Sequence, residues 1–569
     1  MKLTLTPFIT LLVSLSAAAE QPWGGAFPWT RYEAENADRT SMTAPHASDI
    51  YGMEAAGHRA IELTAGGSLI EWTMDADGEG IVVRYSVPDV PDGELAVDFL
   101  VNDEKRGVIV LTPRFSHLYG SQFEASKNPA EGNHRRVYDE TRLRYPLKKG
   151  DRFAIRLPEP STKSAEPVCI DFIEVERIAA EIPPPPQALV VSDFGAIADD
   201  GKDDLAAFDA CFKSARQSGK TAYLRRGVFH LSNRIALPPR IQIQGAGVWH
   251  TELRFTSGES GKTRGFTTAD ATERIEMRDF FFVGQGGMIH DGGQPFNGPM
   301  GKDSVLENLW WEHLYNARFV WNENLTVRHC RVRNVFAGGL ILFEGSIAAV
   351  VENNHVRQAG DDGIATCASH HGAGESAPIN RNNTIRRNTV ELTARAAGIG
   401  IFGGNSTRVY HNRVLDTLPS AQADIRFTSS FESHPFGAGA KNQHHVYENE
   451  FSGCRAHMGS ILFGTRYTPV ENILLRDCNV SQLAAPLLYF RAQKPHASQG
   501  LRIENVSVEV SADAPDTLPG LVVEPRFQGE VSLERVVVKN RILNVENASP
   551  SMQILFGSEV QGLASKRQP

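Results

Sequence analysis

The sequence predicts an all-β protein in which a β-sandwich of the jelly-roll type precedes a right-handed parallel β-helix. Three observations indicate this architecture. Short runs of alternating apolar and polar residues fill the first third of the chain, a proline-rich segment follows them, and a 24-residue repeat occupies the second half. Glycine is abundant (50 of 569 residues) and aromatic residues make up 8%, which favours turn-rich β-structure over helices.

The N-terminal residues 1–19 are typical of a secretory signal peptide. In MKLTLTPFITLLVSLSAAAE, a lysine precedes a short apolar run, and small residues end at Ala19, where cleavage is expected. No later segment contains 18 consecutive apolar residues, so we expect a secreted or periplasmic protein without a membrane anchor. The net charge of −9 argues against nucleic acid as a partner, and we expect a monomer.

The six cysteines lie far apart in the sequence, without the spacing of a disulfide-stapled scaffold or a zinc site. Export permits disulfides, but several of these cysteines fall within apolar strand-like runs. We therefore predict that they are mostly buried thiols.

Residues 24–180 have the pattern of a β-sandwich, with runs such as GIVVRYSV, ELAVDFLV and CIDFIEVE. The domain begins with RYEAEN and ends with CIDFIEVERI, and in this it resembles carbohydrate-binding modules of the family 6 and family 35 type. That resemblance implies a structural calcium held by Glu33, Glu35 and Asp171, since calcium prefers oxygen ligands. The alternative is that these acids only solvate the ends of strands.

The segment EIPPPPQ (181–187) is predicted to be a semi-rigid linker, because four prolines can continue neither a helix nor a central strand. Residues 188–560 are assigned to the β-helix. Their first part resembles the N-terminal cap of pectin-lyase-like proteins, with one amphipathic helix near residues 204–217 that follows an acidic turn.

Repeats decide the fold of this second domain. LTVRHCRVRNVFAGGLILF from Leu325 and AVVENNHVRQAGDDGIATC from Ala349 align without a gap, and further copies begin at Asn383, Thr407, His444 and Asn472. We interpret each copy as two short strands joined by a polar turn, and the stacked copies as the coils of a β-helix. One register position recurs as asparagine or cysteine, which predicts an internal ladder of Cys330, Asn354, Asn388, Asn412, Asn449 and Cys478.

The last strand of each copy predicts where a ligand binds. One set of alternating positions is apolar and should face inward, whereas the other set, including Gly339, Gly363, Gly398 and Gly400, is rich in small residues. We interpret this second set as the floor of a substrate cleft.

Two adjacent acids, Asp361 and Asp362, lie at the entry to one of these strands. Asp424 aligns with Gly363 two coils away, so strand spacing places it roughly 12 Å from Asp361. Carboxylates reaching towards each other could then approach the ~6.5–9.5 Å separation of inverting glycosidases. Arg426 shares this face and could bind substrate.

The segments VRQAGDDGIA, AAGIGIFGGNSTRVYHNRVLDT and ADIRFTSSF resemble the bacterial α-1,3-glucanases (mutanases) and mycodextranases of glycoside hydrolase family 87. In that family a small β-sandwich precedes a right-handed β-helix, and the adjacent aspartates are catalytic. The resemblance implies that Asp361 and Asp362 take part in inverting hydrolysis of an α-glucan, most simply an α-1,3-glucan, without a catalytic cofactor.

The sequence departs from the family at one position. The family's third acid lies one coil earlier in an Asp-Gly step, which is Gly338-Gly339 here. Glu344 lies at the far end of its strand and is a poor substitute, so Asp424 is our candidate for the missing acid.

Two further pairs of residues are candidates for substrate binding. Trp310 and Trp311 are adjacent, so one of them should point out of the coil, where it could stack on a sugar or be buried under a cap. His370 and His371 begin a loop just after the acid-bearing strand and could contact sugar hydroxyls, but no third residue has the spacing of a metal ligand.

The sequence leaves two alternatives to hydrolysis. A polysaccharide lyase on the same fold would need a basic residue near an acidic sugar, and Arg426 is the candidate. A carbohydrate-binding β-helix without catalysis would agree with the glycine at position 338.

Overall fold

The alternating runs of the first domain form antiparallel strands, whose apolar faces meet in one core around Ile61, Ile70, Phe153 and Ile173. In the computed structural model the described residues are 23–40, 43–46, 50–88, 93–116, 118–120, 125–126, 132–135, 137–159, 167–256, 264–268, 273–284, 293–368, 379–430, 436–437 and 440–565. The predicted signal peptide lies outside them. Within these ranges, no helix has the length and apolarity needed to cross a membrane.

Two main sheets and one small sheet make up the sandwich within the described ranges. The first main sheet, called the docking sheet below, contains Trp29–Glu33, Thr43–His46, Ala60–Leu63, Gly78–Ser86, Asp139–Leu147 and Val168–Glu176. The facing sheet contains Asp38–Arg39, Leu69–Thr73, Leu95–Val101, Glu104–Leu111 and Arg152–Arg156. The small sheet contains Leu118–Gly120, Ala125–Ser126 and Gly132–Arg135, and helical turns occupy Ala34–Asn36, Ile50–Met53 and Ala56–His58.

The proline-rich linker lies against the first coils of the second domain. The backbone N–H of Ile182 donates to the carbonyl of Ala246 at 3.0 Å, and the hydroxyl of Tyr223 donates to the carbonyl of Ile182. After a short turn at Val191–Phe194, the predicted helix spans Leu205–Ser218 and packs Phe208 and Phe212 onto the first coil.

The second domain is a stack of parallel strands, as predicted. The long sheet contains Leu189–Val190, Ala222–Leu224, Gly227–Leu231, Gln242–Gly245, Thr251–Phe255, Glu276–Val283, Val305–Glu312, Thr326–Arg328, Arg331–Arg333, Val350–Glu352, His355–Arg357, Thr384–Arg386, Thr389–Glu391, Arg408–Tyr410, Arg413–Leu415, His444–Tyr447, Glu450–Ser452, Ile473–Leu483, Ala497–Val510, Gln528–Val538 and Met552–Phe556. The shorter sheet contains Pro299–Lys302, Ala317–Glu323, Leu340–Phe343, Ile364–Cys367, Ala397–Phe402, Ala423–Thr428, Ile461–Thr465, Leu488–Ala492, Pro519–Val523, Leu543–Asn547 and Leu563–Ser565. The strands Ile235–Leu237, Phe266–Thr268 and Phe296–Asn297 form a small third sheet, and one further helical turn spans Ala440–Asn442.

The copies that begin at Leu325, Ala349, Asn383, Thr407 and His444 contain three strands rather than the predicted two, whereas the copy from Asn472 has the predicted two, Ile473–Leu483 and Leu488–Ala492. In the copy from Leu325, Thr326–Arg328 and Arg331–Arg333 belong to the long sheet, and Leu340–Phe343 belongs to the shorter sheet. The polar step between the first two strands is a sharp bend at a residue with left-handed backbone, His329 at φ 54°. The same conformation recurs in the next copies at Asn353, Arg387, His411 and Glu448.

The predicted asparagine ladder follows directly after these bends and is confirmed. Asn388 accepts from the backbone N–H of Asn354 at 3.0 Å, and its Nδ2 donates to the carbonyl of Val351 at 2.9 Å and to Oδ1 of Asn412 at 3.0 Å. The prediction about the thiols is also confirmed, because all six cysteines are buried and unpaired.

The docking sheet of the sandwich packs on the long sheet through buried charges. Arg357, fully buried, donates to Glu140 at 2.6 Å, to Glu174 at 2.7 Å and to Glu391 at 2.8 Å. Arg331 pairs in the same way with Glu176 at 2.9 Å. The two domains are therefore joined by ion pairs that water does not reach.

Candidate active site

The adjacent aspartates lie in the turn that leads into Ile364–Cys367 of the shorter sheet. Asp361 is half-buried, and Asp362 is 8% exposed. Oδ1 of Asp362 accepts from the backbone N–H of Ala397 in the next coil at 3.1 Å. The same oxygen would lie 3.0 Å from a Cβ atom at Gly400, so the carboxylate rests over a position that only glycine leaves open.

The surroundings of the pair favour a shared proton. Burial, together with the neighbouring Asp361 charge, raises the pKa of Asp362 to about 8, although Arg426 and the hydrogen bond from Ala397 oppose these effects. Burial also raises the pKa of Asp361, against the charges of Arg395 and Arg426. One acid and one carboxylate can therefore coexist near neutral pH.

Strand register defines the surface in front of the pair. On five successive strands of the shorter sheet, the residues in one outward row are Arg318, Ile341, Ala365, Gly400 and Arg426. This row is called the floor below. The guanidinium of Arg426 is therefore one coil away from the glycine beneath Asp362.

The glycines at the entry to these strands do not belong to the floor. A Cβ atom at Gly339, Gly363 or Gly398 would meet a valine of the coil interior at 2.6, 2.3 and 2.3 Å, respectively. The predicted cleft-facing role of these three glycines is therefore wrong. Gly339 and Gly363 directly precede their strands and Gly398 is the second residue of its strand, so the side-chain direction does not yet follow the strand alternation at these positions.

Asp424 occupies the same inward position and does not reach the cleft. It is fully buried, and Oδ2 accepts from the Ser460 hydroxyl of the next coil at 2.7 Å. Burial raises the pKa of Asp424 to about 7, against hydrogen bonds from Thr417 and Ser460. The prediction that Asp424 supplies the missing acid is wrong, because its side chain points into the coil.

The space for a carboxylate at position 338 is occupied by an apolar side chain. A Cβ atom at Gly338 would lie 2.5 Å from Cδ1 of Ile341 and 3.5 Å from the carbonyl oxygen of Asp362. The floor is therefore apolar where a third acid would stand beside the pair.

Three residues near the pair were missed by the sequence reasoning. Burial and the charge of Asp361 raise the pKa of the Tyr315 hydroxyl, and the charge of Arg318 opposes them. The charge of Arg395 opposes the rise in the pKa of Asp361. Arg318 and Tyr315 belong to the coil before the first aligned repeat. Arg318 pairs with Ile341 at an offset of 23 residues, so extending the 24-residue alignment one copy towards the N-terminus would have placed Ala317 on the floor instead of Arg318.

The two tryptophans do not line a cleft, and the prediction that one of them stacks on a sugar is wrong. Trp311 points into the coil, where its ring stacks on Phe282 at 5.6 Å. Trp310 points outward but is 1% exposed, because the docking sheet covers it and the Arg142 guanidinium lies 4.8 Å from its ring centre.

The remaining predicted residues fall elsewhere. His370 and His371 lie outside the described residues. Asp171 is fully buried, forms an ion pair with Arg84 and accepts from the backbone N–H of Ala56 at 3.1 Å. In the part of the chain that the structure describes, no three His, Cys, Asp or Glu side chains are grouped so as to hold a metal ion. Glu33, Glu35 and Asp171 therefore do not fit a shared calcium ion.

A parallel β-helix that presents a carboxylate pair beside an outward row of small residues and arginines defines the class of β-helix enzymes that act on polysaccharides. Two family models match the chain: α-1,3-glucanase catalytic domain D1 over residues 26–178, and α-1,3-glucanase catalytic domain D2 over residues 205–445. Together they match more than half of the sequence. The chain belongs to the α-1,3-glucanase family, glycoside hydrolase family 87, and is a glycoside hydrolase.

Solved structures agree with the fold. The Agl-KA catalytic domain matches with a TM-score of 0.80 and 24% identity over 96% of this chain and 99% of its own. The catalytic unit of a thermostable family 87 α-1,3-glucanase from Streptomyces thermodiastaticus strain HF3-3 matches with a TM-score of 0.80 and 20% identity, over 96% and 98%. A family 87 α-1,3-glucanase in complex with nigerose matches with a TM-score of 0.80 and 21% identity, over 96% and 100%. No curated protein sequence matches the chain.

Proposed function

We propose that this protein is exported and, as a monomer, hydrolyses α-1,3-glucan with inversion at the anomeric carbon, using Asp361 and Asp362 as its acid and base. The observation that carries the proposal is the carboxylate pair, of which Asp362 stands over Gly400, the fourth of the five residues of the outward floor. The family membership supports the reaction, and a family 87 relative was solved with nigerose and with tetrasaccharides.

The two acids receive different roles from their surroundings. Asp362, more deeply buried and with a pKa of about 8, holds the proton and gives it to the glycosidic oxygen. Asp361 is half-buried and faces the charges of Arg395 and Arg426, so it is the carboxylate that activates water.

Position 338 bears on the mechanism. In the family 87 relative, the aspartates replaced by alanine in the solved complexes are two adjacent ones and one that lies 23 residues earlier. Gly338 is the residue at that distance before Asp361 here. We propose that the pair hydrolyses the substrate without a third carboxylate. If the pair is inactive, the protein is a β-helix that only binds sugar.

The test is hydrolysis of α-1,3-glucan by the wild type, Asp361→Asn and Asp362→Asn, with the anomeric configuration of the products followed by NMR. We expect new reducing ends of inverted configuration, and a loss of about 10²–10⁴-fold in kcat for each variant. Asp513→Asn, at an exposed position away from the floor, is the matched control and should keep wild-type activity. Binding of α-1,3-glucan without products would support a sugar-binding protein instead.

A further inference from the structure

We propose that the natural substrate is an α-glucan carrying oxyanion groups, and that Arg318 and Arg426 bind these groups on either side of the cleavage point. The proposal rests on the proposed function, because it names the substrate class of the same site.

Register places the two arginines on opposite sides of the acids, with the Asp362 carboxylate over Gly400 and therefore nearer to the strand of Arg426. The strand that follows the pair contributes Ala365 to the floor, Arg426 lies two strands further along and Arg318 lies two strands before. Each arginine backbone is thus about 10 Å from the central strand along the axis. A chain lying along the floor would meet one guanidinium on each side of the acids.

Both guanidiniums rest on aromatic rings, and neither has a carboxylate partner in the part of the chain that the structure describes. The Arg318 guanidinium lies 3.9 Å from the ring centre of Phe343, and that of Arg426 lies 4.9 Å from the ring centre of Phe402. Among the described residues, neither lies within salt-bridge distance of a carboxylate, whereas Arg31, Arg331 and Arg357 in the domain interface all do. Within the described ranges, these two arginines differ in this respect from the arginines that join the two domains.

Arg426 has donors that the fold does not use. Its Nη2 donates to the Ser430 hydroxyl at 3.1 Å, and its Nε is buried without a hydrogen-bond partner in the described part of the chain. A buried N–H of a half-buried cation costs free energy when it has no hydrogen-bond acceptor, unless a bound ligand accepts from it. A ring-stacked guanidinium presents its edge to solvent, where it can hold a carboxylate, sulfate or phosphate through two parallel hydrogen bonds.

The charge balance of the site points the same way. Among described residues, the charges of Arg395 and Arg426 act on the pair Asp361 and Asp362, and the charge of Arg491 acts on Arg426. The glycine at 338 and the Ile341 side chain beside it leave out a carboxylate that would repel an anion. A neutral glucan needs hydrogen bonds but gains no binding energy from excess positive charge in the site. An anionic chain is attracted by that charge.

The test compares three polymers of matched length: α-1,3-glucan, the same glucan oxidised to carry C6 carboxylates, and the same glucan bearing sulfate esters. We measure kcat/KM by reducing ends, and binding by titration calorimetry. The wild type should prefer at least one charged polymer by about tenfold, and the preference should fall as salt is raised. The oxidised and sulfated polymers distinguish a uronic acid from an ester as the source of the oxyanion.

Variants of the two arginines test which residues cause the preference for a charged polymer. Arg426→Gln and Arg318→Gln should each reduce the ratio of kcat/KM on the charged polymer to kcat/KM on the neutral polymer by about fivefold to tenfold. Arg426→Lys keeps the positive charge but loses the paired N–H donors of the guanidinium, so it should reduce this ratio less. Arg502→Gln, in an exposed pair with Glu504 on the long sheet, is the matched control. Melting temperatures identify any variant that fails to fold, in which case the arginine at the other end of the floor still tests the proposal.

The outcomes separate the two proposals. Equal cleavage and equal binding of neutral and charged polymers, unchanged in both glutamine variants, would overturn the inference and leave the proposed hydrolase intact. Binding that prefers a charged polymer and depends on Arg426, without cleavage of any polymer, would support oxyanion recognition and refute hydrolysis. Ultraviolet absorbance of an unsaturated uronate would likewise support recognition and replace hydrolysis by elimination.

Discussion

Asp361 and Asp362 are adjacent in sequence but differ in their contacts, and this difference sets the expected pH dependence. Asp362 is pressed over Gly400 and hydrogen-bonded to the next coil, whereas Asp361 is more exposed and faces two arginines. An inverting mechanism needs the first protonated and the second ionised at the same time.

We expect a bell-shaped profile of kcat/KM against pH. Activity should fall as the pH rises through about 8, because Asp362 then loses the proton that it must give to the leaving group. On the acid side, activity should fall at a pH above the ordinary aspartate pKa, since burial raises the pKa of Asp361 as well. Initial rates on α-1,3-glucan across the pH range measure both limbs.

Arg426→Gln provides the internal check on this profile. Its charge opposes the upward shift of both pKa values, so its removal should move both limbs to higher pH. A profile that is flat through pH 8 in the wild type would contradict the assignment of Asp362 as the acid.

Asp424→Asn should retain activity, in contrast to changes at the pair, because Asp424 is fully buried in the coil interior. The substitution should also stabilise the protein at high pH. Burial raises the pKa of Asp424 to about 7 in the folded chain, against about 3.9 in the unfolded chain, so the folded state binds the extra proton between these values. Stability from this group is present at low pH and is lost as the pH rises towards and through 7.

The measurement is thermal unfolding of Asp424→Asn and the wild type at pH 5 and pH 8, together with kcat. The gain in melting temperature should be larger at pH 8, and kcat should remain within about twofold of the wild type. Loss of activity in a folded variant would return Asp424 to the catalytic set.

At the scale of the strand and its turns, the left-handed bend and the ladder residue after it form the unit that stacks one coil on the next. Asn388 alone serves the backbone N–H of one coil, the carbonyl of Val351 and the side chain of Asn412. Asn388→Ala leaves these buried groups without partners, so the free energy of unfolding should fall by about 3 kcal/mol. The free energies of unfolding of the variant and the wild type are measured by urea denaturation.

Asn324→Ala is the matched control for the ladder. Asn324 also follows a coil of the long sheet, but its side chain is exposed and donates to Asp303 at 3.0 Å. The control should lower the free energy of unfolding by only about 1 kcal/mol, which is the cost of alanine at its left-handed backbone of φ 59°. A similar loss in both variants would mean that the ladder contributes no more than a surface hydrogen bond.

The same elements show what could be predicted from the sequence. The repeat gave the coils, the ladder and the position of the acid pair, because stacking forces like residues into register. It did not give the direction of Asp424 or Gly398, because each is the second residue of its strand and the alternation of side chains does not yet hold at the strand entry.

At the scale of the whole molecule, contacts between domains could not be predicted from either domain's own pattern. Trp310 and Asp171 looked like a sugar platform and a calcium ligand because each is an outward residue in its own domain. The structure buries both between the docking sheet and the long sheet, where Arg142 covers Trp310 and Arg84 pairs with Asp171. The sequence carries no periodicity that relates one sheet surface to the other.

The buried charges of this interface should make the two domains unfold together. Burial alone would raise the pKa of Glu174 and Glu391, but Arg357 and Arg31 outweigh it and hold both pKa values well below the usual range. Arg357→Met keeps most of the side-chain volume and leaves Glu140, Glu174 and Glu391 short of a cation. Removing one partner of such a network costs about 3–5 kcal/mol.

We therefore expect Arg357→Met to lower the melting temperature and to split the single calorimetric transition of the wild type into one for the sandwich and one for the β-helix. The control, Arg502→Met, breaks an exposed pair and should cost less than about 1 kcal/mol. Adding Glu174→Gln to Arg357→Met removes one of the uncompensated charges and should recover part of the loss. A wild-type melting temperature in Arg357→Met would show that apolar contacts hold the domains together and that the ion pairs do not.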